Sequence, residues 1–67
     1  MQEILDGILE AIKDEVKAQN HYKVLAEKAT DPKVKNFFEQ LRLDEENHEK
    51  VLRTRYEALQ KILKASM

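Results

Sequence analysis

The chain has no cysteine, no tryptophan, one glycine and one proline among its 67 residues. Without cysteine there is no disulfide framework, no thiolate metal site and no cysteine nucleophile. A single glycine excludes a glycine-rich phosphate loop. Neither sign of charge dominates: twelve basic and thirteen acidic residues leave a net charge of -1, which argues against binding nucleic acid by neutralising phosphates. Long apolar runs are also missing, and the opening Met-Gln-Glu-Ile-Leu-Asp lacks the basic start of a signal peptide. The expectation is a soluble cytoplasmic protein with no membrane and no nucleic-acid partner. At 7.9 kDa it forms one unit, and so short a chain usually needs a staple, a metal or a partner to be stable.

What is present is helical. From Ile4 to Ala29 apolar residues recur at helical spacing among Ala, Leu, Glu, Lys and Gln, all good helix formers. A first helix is expected over about 3–29. Gly7 near its start is either tolerated at about 1 kcal/mol relative to Ala or marks the close approach of another backbone. Thr30-Asp31-Pro32 is the turn signal: the Asp31 carboxylate can cap a helix, and Pro32 suits a first helical position that needs no N–H. The turn is placed at 30–31 and a second helix at about 32–64. Along it Glu46/Lys50, Glu49/Arg53 and Glu57/Lys61 are favourable i,i+4 pairs on a solvated face, and Lys61 and Lys64 suit the helix C-terminus.

The predicted fold is therefore an all-α antiparallel two-helix hairpin. A hairpin covers only one seam, yet Ile4, Leu9, Val16 and Leu25 flank the first seam, and Phe37, Val51, Tyr56 and Leu63 flank the second. Two copies forming a four-helix bundle about a twofold axis is the economical solution.

Traced in steps of three and four, the first seam reads Leu5, Ile8, Ile12, Glu15, Gln19, Tyr22, Ala26 and Ala29. The second reads Val34, Phe38, Leu41, Glu45, His48, Leu52, Arg55, Leu59 and Ile62, with Arg55 at the rim. Glu15 and Glu45 lie fifteen residues either side of Thr30, so both stand roughly 22 Å from the turn at 1.5 Å per residue. If the second hairpin packs with its turn at the opposite end, four carboxylates and two imidazoles meet in one core. Four buried negative charges repel and lose hydration, whereas two divalent cations bring the sum to zero. The i,i+3 spacing of Glu45 and His48 points both donors the same way, and Glu15 closes the set from the other helix. A Glu from each of two helices with Glu-x-x-His from two others is the donor set of di-iron and di-manganese carboxylate bundles. Imidazole with carboxylate favours iron or manganese over magnesium or calcium, and zinc is a possible substitute.

Other polar residues carry less. His21 lies one step off the seam and reads as a surface residue. Asp14, Asp44, Glu46 and Glu49 flank the proposed site; Asp44 could orient the His48 ring, but solvation is the usual fate of such acids. Thr30, Thr54 and Ser66 have no base in a plausible geometry for nucleophilic hydrolysis.

Glu15-Val16-Lys17-Ala18-Gln19-Asn20-His21-Tyr22 with Leu25-Ala26-Glu27 resembles the first helix of a rubrerythrin-type ferritin-like protein, and Phe38 through Asp44-Glu45-Glu46-Asn47-His48 resembles its second. A rubrerythrin supplies two such hairpins in one chain. This sequence has one, and so is similar to half-size members, such as encapsulated ferritins, that build the site between subunits. The resemblance implies a di-iron centre that oxidises Fe(II) with O2 or H2O2, two iron ions per homodimer, and ligand roles for Glu15, Glu45 and His48 with Glu45 bridging. The family tyrosine falls on Tyr22, whose hydroxyl either bonds a ligand carboxylate or belongs to a packed core aromatic. Ala18 stands where one rubrerythrin half carries an extra carboxylate, which puts peroxide specialisation in doubt. The four-cysteine rubredoxin-like domain has no counterpart, so a reductant comes from another protein or from ferrous iron itself. Assembly beyond the dimer and enclosure in a compartment are left open. The rival reading is a metal-free helical hairpin used as a dimerisation or scaffold module.

Overall fold

A computed structural model describes residues 2–66, the side chain of Ser66 excepted. Two helices account for nearly all of it: α1, Gln2–Lys28, and α2, Pro32–Ser66. The second runs two residues past the expected end at Lys64. They form an antiparallel hairpin 55 Å long, 15 Å wide and 9 Å thick. The length is that of α2 alone, whose 35 residues rise about 52 Å.

The short connection follows from its residues. Ala29 N–H still donates to the Leu25 carbonyl at 3.0 Å, so helical bonding persists one residue past α1. Asp31 then caps α2. Its Oδ1 accepts from the Lys33 and Val34 N–H groups at 2.7 and 3.3 Å, and its carbonyl accepts from Lys35 N–H at 2.9 Å. Replacing Asp31 with alanine should cost about 1 kcal/mol, the usual loss for an N-cap, read as an earlier midpoint in urea.

Among the described residues only Ile12 and Ala26 are buried. The α1 seam packs as its spacing requires, with Leu5, Ile8, Glu15, Gln19, Tyr22 and Ala29 half-buried around them. On α2 the seam drifts. Phe38, Leu41, Glu45, Leu52 and Leu59 are half-buried, but Val34 and Ile62 stay 45% and 60% exposed, and Glu49, Tyr56 and Leu63 turn inward instead. A straight helix of 3.6 residues per turn slides against a 3.5 repeat, and over eight turns that moves the contact line by one residue. Arg55 is exposed, as a rim residue would be. Gly7 has nothing within 4 Å of where a Cβ would stand, so within the hairpin no backbone approaches it closely.

The two broad sides of the hairpin differ. One carries a ladder of ion pairs along α2: Arg42 to Glu39 at 3.0 Å and to Glu46 at 3.5 Å, Lys50 to Glu46 at 3.7 Å, and Arg53 to Glu49 at 2.7 Å. The expected Glu57/Lys61 pair is absent among the described residues. At about 100° per residue the ladder lies roughly opposite Phe37, Val51 and Ile62, which are 59%, 54% and 60% exposed. Ile4 of α1, 55% exposed, lies on that same apolar side. Val24 and Leu43 are exposed elsewhere, singly, as is ordinary for surface hydrophobics.

Candidate metal centre

Midway along the seam the packing turns polar. Glu15 projects from α1, and Glu45 and His48, one turn apart, project from α2. One donor atom from each lies within 4.8 Å of the others. His48 Nδ1 stands 3.6 Å from Glu15 Oε2 and 3.6 Å from Glu45 Oε2, too long for a hydrogen bond and close enough for one cation to reach all three groups. The carboxylates are mostly covered, at 23% and 22% exposure, while the imidazole is 59% exposed. His48 therefore sits at the edge of the seam rather than within it, on the apolar side of the hairpin.

Glu15 is the strained member. Its Oε2 is buried and has no hydrogen-bond partner among the described residues. The Glu15 carboxyl is held above its ordinary pKa, first because a proton between it and Glu45 is favoured, then by removal from water and by the charge of Glu45; His48 opposes the shift. A carboxylate oxygen with neither water nor a donor is costly to keep ionised. A cation in reach of all three groups would relieve that cost.

The polar seam continues beside the cluster, where the sequence places Gln19 in the seam but Glu49 on a solvated face. Gln19 Nε2 donates to Glu49 Oε1 at 2.8 Å across the seam, and Arg53 Nε donates to Glu49 Oε2 at 2.7 Å. The Gln19 bond, followed by Arg53, holds the Glu49 carboxyl below its ordinary pKa. Glu49 is thus a satisfied anion, which the Glu15 pair is not. The signal for it was the helical drift itself, since a 3.6 repeat from Glu45 brings position 49, not 48, onto the contact line.

Tyr22 stacks on Phe38 across the seam, centroids 6.5 Å apart with planes at 20°. No hydrogen bond of its hydroxyl occurs among the described residues, so the hairpin supports packing as its role. His21 is exposed, tilted against Tyr22 at 5.8 Å and outside the cluster. Asp14 and Asp44 are exposed, and within one hairpin Asp44 makes no hydrogen bond to His48. No helix of the described residues is long and apolar enough to cross a membrane.

A helical hairpin thus brings two carboxylates and an imidazole together at mid-height. The family model of Rubrerythrin matches residues 6–66, and the chain belongs to that family. No curated protein and no solved structure matches it.

Proposed function

We propose that this chain is half of a ferritin-like di-iron protein. Two hairpins, turned end for end, form a homodimeric four-helix bundle in which Glu15, Glu45 and His48 of each copy hold two iron ions. The reaction is oxidation of Fe(II) by O2 or H2O2, in the cytoplasm. The observation that carries the reading is the orphaned Glu15 Oε2, sealed from water beside Glu45 and His48. Membership of the Rubrerythrin family supports the same centre.

The donor set fits such ions. Carboxylate oxygen and imidazole nitrogen suit iron, manganese or zinc, and one hairpin alone offers three protein donors, so a second copy completes the set for two metals. Four carboxylates balance two divalent charges. Bound iron would supply the electrons. The protein supplies fixed geometry: Glu15 and Glu45 hold charge at the shared position, and His48 enters from the uncovered side. The Gln19–Glu49 bond ties α1 to α2 across the level of Glu15 and Glu45, and Arg53 holds Glu49 from within α2.

Anaerobic titration with Fe(II) should saturate at one metal per chain, two per dimer, and admission of air should then raise a ferric absorbance in the near ultraviolet. A flat titration would favour the metal-free scaffold module instead.

A further inference from the structure

We infer that the uncovered side of the hairpin is built to receive a second copy in one register, α1 on α1 and α2 on α2, with Arg55 of each copy seated over Phe37 of the other. The inference rests on the homodimer proposed above and assigns its contacts. It starts from a second set of steps of three and four, which shares Val34, Leu41, His48 and Arg55 with the seam traced from the sequence and runs along its uncovered edge. On α2 these steps run through Val34, Phe37, Leu41, Asp44, His48, Val51, Arg55 and Ala58. Four of them stand out as bare for their type: Val34, Phe37 and Val51 are 45%, 59% and 54% exposed, and Arg55, though exposed, has no hydrogen bond or ion pair among the described residues.

That stripe is complementary to its own reversal. About position 46, Phe37 mirrors Arg55, Leu41 mirrors Val51 and Asp44 mirrors His48. Antiparallel helices pair positions in this mirrored way. The pairs that result are aliphatic on aliphatic, carboxylate on imidazole, and guanidinium on an aromatic face, each of them favourable. On α1 the corresponding steps place Ile4 opposite Leu25 and Ala11 opposite Ala18, mirrored between Asp14 and Glu15. Two alanines in register let the α1 axes come close, because side-chain size at the contact sets the interaxial distance.

The two mirror points were not obliged to agree, but they do. One lies about sixteen residues after Thr30 and the other about as many before it, so both stand roughly 23 Å from the turn. A single twofold axis across the hairpin at that level satisfies both helices and passes through the Glu15, Glu45 and His48 cluster. The competing arrangement, both turns at one end, lays α1 on α2 of the second copy. It sets Asp44 over Glu15, acid on acid, and Arg55 over Ile4. The first also brings Asp14 of one copy to Glu15 of the other, but it pairs Asp44 with His48 and Arg55 with Phe37, which the second does not, and those pairs select it.

The absence of cysteine makes the register directly testable. Residues 11 and 18 of one chain are too far apart along α1 to be bridged, as are 11 and 11, or 18 and 18, of two copies. Under mild oxidation, the double variant Ala11→Cys/Ala18→Cys should become disulfide-linked dimer, while each single variant stays uncrosslinked. A second pair of variants reads the Arg55 seat: Phe37→Lys should weaken dimerisation at least tenfold in sedimentation, and adding Arg55→Glu in the same chain should restore it. If sedimentation shows a dimer but the double variant does not crosslink, or the singles do, the register is wrong and the homodimer stands. If the unmodified chain sediments as a monomer with or without Fe(II), or pairs only with a different protein, the homodimer itself is overturned.

Discussion

Replacing Glu15 with alanine is expected to raise the melting temperature of the metal-free protein and to abolish the rise that Fe(II) gives. Both effects come from one oxygen. Without metal, Glu15 keeps an unpartnered Oε2 beside another carboxylate, and removing it relieves the repulsion and the lost hydration. With metal, the same group is a ligand. At a free concentration a hundred times Kd, one bound ligand stabilises by about 2.7 kcal/mol, on the order of 10 °C for a protein this small. If the variant still gains that increment from Fe(II), Glu15 is not a ligand.

The pH dependence carries the same signature. Because the folded pKa of Glu15 is raised, its contribution favours the folded state at low pH and is lost as pH rises through that raised value. Glu49, lowered by Gln19 and Arg53, does the reverse: its contribution is present above the ordinary carboxylate range and is lost as pH falls through its depressed value. The metal-free protein should therefore lose stability from Glu15 as pH rises above the ordinary carboxylate range. Glu15→Gln should remove that loss and leave the acid limb set by Glu49.

The second large effect concerns association. With only Ile12 and Ala26 buried among the described residues, one hairpin has almost no core of its own, and helices in water draw most of their stability from packing. Folding and dimerisation should therefore occur together. The melting temperature should fall on dilution, and Val51→Asp, which puts a carboxylate into the apolar stripe, should yield a monomer that has lost most of its helical circular dichroism at micromolar concentration. A monomer that keeps full helicity would show that the hairpin stands alone and needs no second copy.

Much of this was legible in the sequence, for identifiable reasons. The two helices and their turn follow from apolar spacing and from Asp31-Pro32, because capping and proline act locally and tertiary contacts need not be known. The gathering of Glu15, Glu45 and His48 follows from counting residues from the turn, since helical rise is nearly constant. What counting could not give was the exposure of His48. A fixed 3.5 repeat holds the seam still, but the real helix drifts, so His48 moved to the edge and Glu49 moved in. The Gln19–Glu49 bond was out of reach for a further reason: it joins residues at different heights, through side chains that each lean toward their own helix N-terminus. Tyr22 was left between two roles, and only its stacking on Phe38 speaks for one of them.

The ion-pair ladder formed by Glu39, Arg42, Glu46 and Lys50 has a use that its small energies do not suggest. An object adhesive on both faces strings into fibres, whereas one with a single adhesive face is finished after one union. If the apolar side takes a second copy, a back kept hydrated by this ladder should offer further copies no apolar place to add along that direction. Crowded solutions of it should stay clear instead of gelling.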